Sequence, residues 1–126
     1  MKISKADKKE LHALLHELVK LRDGDKCLRC HRPGSWQMSH IYPKGRYRRM
    51  EYEPDNIKPL CYACHLCWWH KDPIGASAWL NDTLPLPRLQ RLKLMAQVNA
   101  PFRMDIKLYK LFLKQEIKKY AKLALS

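Results

Sequence analysis

No run of about 18 apolar residues occurs in this 126-residue chain, so no helical membrane span is expected. The opening MKISKADKKE has no apolar core, which argues against a secretory leader. Low-complexity tracts and internal repeats are missing, so wholesale disorder is not expected. Acidic residues are scarce: 12 Asp and Glu stand against 25 Lys and Arg, a net charge of +13. That balance favours a polyanionic partner, nucleic acid before an anionic membrane surface. The middle of the chain is short of long aliphatic runs and rich in Cys, Pro, Arg and Tyr. Such a segment needs a staple to hold one shape. Disulfides are a poor candidate, because five cysteines cannot pair completely and a cytoplasmic setting keeps thiols reduced.

The length suits one domain, 1–126, with an N-terminal helix in 1–23, a core in 24–73 and a basic helical arm in 74–126. Residues 5–22 carry Leu11, Leu14, Leu15, Leu18 and Leu21 at helical spacing, with Gly24 as a C-cap. His12 and His16 share this helix, but without a third ligand they read as part of a solvated face. Residues 35–42 alternate as a strand, and 43–53 form a basic, aromatic loop. Pro54-Asp55-Asn56 reads as a turn and 57–60 as a second strand, held to an edge or an end by Pro59. A helix follows from Tyr62 to about Asp72, where Pro73 ends it. Short helices are expected over 76–82 and 88–99, joined by a rigid 84–87 connector and ended by Pro101. The last helix runs from an Asp105 cap to about Leu125. Its stripe is Ile106, Tyr109, Leu113, Ile117, Tyr120 and Ala124. Trp68, Trp69 and Trp79 read as core that joins the middle helix to the C-terminal ones.

Chemistry concentrates between Cys27 and His70. Cys27-x2-Cys30 and Cys61-x2-Cys64 offer four thiolates with a 30-residue insert, the donor set of a closed, structural zinc site. Cys61, Cys64 and Cys67 together faintly resemble an iron–sulfur ligand run. The separate first pair favours zinc, with Cys67 a buried free thiol. Between and beside the pairs lie His40, Asn56, His65 and His70, and His31 adjoins the first pair.

Ser39-His40-Ile41, Asn56, and Leu60-Cys61-x2-Cys64-His65, with Asn56 and His65 nine residues apart, resemble the HNH endonuclease family in its two-CxxC branch. A longer set, SHIYPKGRYRR, PDN and LCYACHLCWWHKDPIGA with Trp79, resembles phage-associated HNH proteins related to the NinG-type recombination nucleases. The resemblance implies an α+β fold: a zinc-stapled ββα-metal motif flanked by an N-terminal helix and C-terminal helices. It implies His40 as general base, Asn56 orienting His40 or fixing the loop, and His65 as ligand of a catalytic Mg²⁺ or Mn²⁺ distinct from the Zn²⁺. It implies DNA as partner, no membrane, and the cytoplasm of a bacterial or phage-infected cell.

One position departs from the family pattern. Many members carry Asp, Glu or His before the base, and that side chain binds the metal; here it is Ser39. Either His65, His70, water and phosphate hold the ion, or the site is crippled. On an ideal helix His70 lies about 140° round from His65. It is therefore a ligand only if the final turn is distorted, and otherwise a surface histidine. Lys44, Arg46, Arg48 and Arg49 in the loop suit phosphate contacts, against the plainer reading of a solvated loop. The expected function is a metal-dependent DNA endonuclease. The alternative is a zinc-stabilised nucleic-acid-binding module without cleavage. A dimer is compatible with the sequence and not required by it.

Overall fold

The computed structural model describes residues 3–98 and 103–125. Helix α1 spans Lys5–Asp23. Ser4 caps it, its Oγ accepting the Asp7 N–H at 3.1 Å. Gly24 ends it at φ 85°, with its N–H on the Lys20 carbonyl, a left-handed geometry that a side chain would strain. Leu11, Leu15, Leu18 and Val19 form its buried face. His12 and His16 lie on the exposed side as expected, although His16 stacks on Trp36 with ring centroids 4.2 Å apart.

Strand β1, Trp36–His40, pairs antiparallel with β2, Ile57–Cys61, in the register Trp36↔Cys61 to His40↔Ile57. The expected 35–42 strand is shorter because Asn56 takes over its end: the Ile41 N–H goes to the Asn56 carbonyl and the Tyr42 N–H to Asn56 Oδ1. With two strands, both are edges, so Pro59 removes no essential ladder bond. A short helix follows at Ala63–Trp69. Helix α2 is Pro73–Thr83, α3 is Leu86–Gln97 and α4 is Ile106–Ala124. Both α2 and α3 start earlier than the sequence suggests. Pro73 and Pro87 sit in their first turns, where proline's fixed φ suits a helix and its missing N–H costs nothing. The expected end of the third helix at 99, and Pro101, lie outside the described residues. No helix among those described is long and apolar enough to cross a membrane.

Two apolar clusters hold these elements. The larger joins Leu11, Leu15, Leu18 and Val19 to Trp36, Tyr52, Ile57, Met104 and Leu113, so α1 and α4 clasp the outer face of the hairpin. Within the α4 stripe Leu113 is fully buried, Ile106, Tyr109, Ile117 and Tyr120 pack against the cluster, and Ala124 is exposed. Lys110 reinforces the pairing with Asp7 at 2.6 Å and Glu10 at 2.7 Å. The smaller cluster surrounds Cys27, Leu60, Cys61 and Cys64, with Trp69 and Trp79 against it. Trp68 meets Trp79 edge to face at 5.4 Å, so the tryptophans join the middle helix to α2, as the sequence suggests.

Two arginines fasten the turn before β2. Arg22 donates to the Pro54 and Ile57 carbonyls at 2.7 and 2.5 Å. Arg88 donates to the Asp55 and Ile57 carbonyls at 2.9 and 3.1 Å. Truncating the centre of the α1–α4 contact, Leu113→Ala, should cost about 2–5 kcal/mol of unfolding free energy. Denaturant titration measures this, and a loss under about 0.5 kcal/mol would show that α4 does not belong to the core.

Candidate metal centre and active site

The first cysteine pair sits on a tight knuckle. The Cys27 N–H bonds the Arg32 carbonyl, and the Cys27 carbonyl takes the His31 N–H. His31 closes the turn at φ 66° and is exposed. Leu28 N–H reaches the Pro59 carbonyl of β2 at 2.8 Å, which brings the knuckle beside the second pair. Sulfurs of Cys27, Cys30, Cys61 and Cys64 all lie within 4.8 Å of one another. Cys30 and Cys61 Sγ are 3.7 Å apart, close to the roughly 3.8 Å edge of a tetrahedron with Zn–S bonds near 2.3 Å.

Without a cation this crowding is unfavourable: burial pushes the Cys64 thiol up to about 12. At Cys27 burial also opposes ionisation, but backbone N–H groups of Cys30, Cys61 and Arg29 outweigh it and lower that thiol to about 7. Four thiols crowded this way fit a divalent ion that they bind as thiolates. Arg29 supports them, donating to Cys64 Sγ at 3.5 Å with its guanidinium 3.7 Å over the Trp68 ring. Cys67 is exposed, which corrects its reading as a buried thiol. Its position falls on the outer side of the short helix, away from the cluster.

His40 ends β1 and is half-buried. Its Nε2 lies 2.8 Å from the Glu51 carbonyl oxygen. A carbonyl only accepts, so the neutral ring carries its proton on Nε2 and keeps a lone pair on Nδ1. Burial first, and then the charge of Lys44, lower the His40 pKa below 6.5, against the raising effect of the Glu51 contact. Asn56 is fully buried. Its amide accepts from the Tyr42 N–H at 2.8 Å and donates to the Tyr42 and Met50 carbonyls at 3.0 Å each. Of its two expected roles, it fixes the loop. It acts on His40 through that loop, because Met50 precedes the Glu51 carbonyl that holds the ring.

The helix carrying His65 and His70 is wound more loosely than an α-helix. The His70 N–H bonds the His65 carbonyl, an i→i+5 link of 3.2 Å, which is the π pattern often found at functional sites. The wider turn cancels most of the rotation that an α-helix would place between these residues. Their rings stand 4.8 Å apart and tilted by 39°. His65 Nδ1 lies 2.8 Å from Gln37 Oε1, so Nδ1 donates and Nε2 is free to ligate. Burial, then the charges of His70, Lys58 and His40, push His65 down to about 4, so it stays neutral and metal-competent at physiological pH. Two imidazoles can ligate a divalent first-row ion, Zn²⁺, Fe²⁺ or Ni²⁺ more strongly than Mn²⁺ or Mg²⁺, which rely on added oxygen ligands. The cysteine quartet is the one set of three or more His, Cys, Asp or Glu ligands among the described residues, so no third such side chain completes the histidine pair.

Ser39 is fully buried, and its Oγ accepts a 3.0 Å hydrogen bond from Lys58 Nζ, its cross-strand partner. The same Nζ lies 3.3 Å from the centre of the Trp69 ring. Burial pushes Lys58 down to about 6, with Arg88 adding to the effect. The cation–π contact with Trp69 opposes that shift by about 2 kcal/mol and favours the ammonium.

The basic loop divides. Lys44, Arg46 and Arg48 are exposed. The Lys44 charge reaches His40, and Arg46 stands over Tyr47 at 5.4 Å. Arg49 instead lines a cavity of about 710 Å³ against α3 and α4 with Arg91 and Tyr109. The sequence reading missed Gln37, Lys58 and Arg29. Only the CxxC context of Arg29 was a local signal; the other two depend on strand register.

The family model of HNH endonuclease matches residues 27–69, and the cysteine quartet there fits the two-CxxC branch. No curated protein and no solved structure matches the chain. Elemental analysis should find about one zinc per chain, and chelation or Cys27→Ser should abolish the cooperative unfolding transition of this segment. A zinc-free protein with an unchanged transition would contradict the metal centre.

Proposed function

We propose that this chain, whose residues 27–69 match the HNH endonuclease family, is a metal-dependent DNA endonuclease. One observation carries the reading: two neighbouring imidazoles are each pinned through one nitrogen and free at the other. His40 is tied through Nε2 to Glu51 and His65 through Nδ1 to Gln37. Rings fixed this way need no reorganisation when a phosphodiester arrives.

In this mechanism His40 Nδ1 takes a proton from a water aligned with the scissile phosphorus. The water oxygen forms the new P–O bond as the bond to the 3′ oxygen breaks, leaving a 5′-phosphate and a 3′-hydroxyl. His65 and His70 would hold the catalytic ion together with the substrate phosphate. When bound, that ion, Mg²⁺ or Mn²⁺, neutralises charge on the phosphate and on the leaving oxygen. Asn56 acts as a positioning residue through the loop. Lys44, Arg46 and Arg48 contact the DNA backbone. Arg49, turned towards α3, takes no part at the scissile phosphate. The zinc holds the hairpin and the helix together and does no chemistry. The chain works as one unit, with 24–73 as the cutting core and 74–126 as a basic helical flank whose α4 packs on α1.

The second reading, a nucleic-acid-binding module without cleavage, is favoured by Ser39, which supplies no strong ligand. Cleavage of supercoiled, linear and branched DNA with Mg²⁺ or Mn²⁺ separates the two. His40→Ala should lower the rate by about 10²-fold or more. Binding to all three substrates without cleavage of any would leave only the module.

The rate should also report His40 ionisation. Its folded pKa is lowered, so the neutral base persists below the ordinary histidine range. The acid limb of log kcat/KM should therefore fall only below pH 6.5. A limb centred above that value would identify a different base.

A further inference from the structure

A lysine with no exposed surface is costly to bury without a counter-ion. Lys58 is such a residue. Its partners are the Ser39 hydroxyl at 3.0 Å and the face of Trp69 at 3.3 Å, and no ion pair to it exists among the described residues. Strand geometry places it beside the open site. Residues two apart on a strand share a face, so Ser39, which holds Lys58, projects from β1 on the same side as Gln37, which holds His65. Trp69, which covers Lys58, follows His65 by four positions and precedes His70 on the loosely wound helix. The ammonium therefore stands between the two strands and the helix, next to the histidine pair and behind the serine that replaces a metal-binding side chain.

We propose that Lys58 is a positioning residue that keeps the His65–His70 site from taking up a divalent ion until the substrate phosphate arrives. The proposal rests on the divalent-ion site proposed above and adds an order of binding to it. A fixed positive charge beside two neutral imidazoles repels a free cation. A phosphodiester bound at the histidine pair offsets the buried Lys58 charge through space and donates oxygen ligands to the ion. Ion and DNA then bind together, each strengthening the other.

The test uses the zinc-loaded full chain and follows Mn²⁺ binding by loss of the free-ion signal in electron paramagnetic resonance. The background from sites other than the histidines is set by His65→Ala, with and without a cleavage-resistant phosphorothioate duplex. Wild type should take up Mn²⁺ above that background only with the duplex. Lys58→Met should bind Mn²⁺ without DNA at least about tenfold more tightly than wild type, and adding His65→Ala should remove the gain. Lys58→Arg, which keeps the charge, should behave as wild type. Circular dichroism and thermal melting establish that each variant is folded, and Lys58→Gln replaces Lys58→Met if the latter is not.

Unchanged Mn²⁺ affinity in a folded charge-removing variant would overturn the proposal, as would equal uptake by wild type with and without DNA. Failure of the ion site itself gives a different result: no variant takes up Mn²⁺ above background, with or without DNA. Failure of the nuclease reading alone shows as absent cleavage while the Lys58 effect on Mn²⁺ remains.

Discussion

The four-cysteine clamp is the constraint on which the rest depends. Cys27 and Cys30 lie on a knuckle before the hairpin, and Cys61 and Cys64 span the end of β2 and the start of the short helix. Closing one ion over them fixes the angle at which that helix leaves the sheet. That angle brings His65 onto Gln37 and Trp69 onto Lys58. The two-stranded sheet is too small to set this geometry by burial alone. The apolar support comes from α1 and α4, which cover the Trp36, Met38 and Ile57 face of the hairpin.

Within that frame the three histidines are held by different devices. His40 depends on a relay: Asn56 locks Tyr42 and Met50, and the adjoining Glu51 carbonyl locks the ring. Arg22 and Arg88 steady the same turn from α1 and α3. His65 depends on one amide from β1, and His70 on the i→i+5 winding. The zinc site is closed and thiol-rich, whereas the histidine pair is open and nitrogen-rich. The sulfur set is closed by its own four ligands, whereas the histidine pair needs oxygen ligands from outside the chain.

Much of this was legible in the sequence because it is local. The CxxC pairs, the Ser4 and Asp105 caps, the leucine face of α1 and the hairpin each announce themselves within a few residues. The Asn56-to-His65 spacing carried the family resemblance for the same reason. What escaped was non-local or irregular. Helical arithmetic on an ideal α-helix separates His65 from His70, and nothing in ACHLCWWH signals a looser winding. Lys58 looks like an ordinary basic residue until the register places it opposite Ser39. Cys67 was assigned to the interior by residue type, although its place on the helix turns it outward. The helices α2 and α3 start earlier than their periodicity suggests because Pro73 and Pro87 are first-turn residues and not breaks.

The proposed chemistry needs two ions with separate jobs, one closed in sulfur and one held between imidazoles beside His40. Anomalous diffraction from a crystal grown with zinc, manganese and a cleavage-resistant duplex tests this most directly. A zinc-edge peak is expected within bonding distance of the four cysteine sulfurs. A separate manganese-edge peak is expected, shared by His65 Nε2, His70 and a phosphate oxygen, on the side of His40 Nδ1. A manganese peak elsewhere, or none with the duplex bound across His40, would contradict the two-ion chemistry.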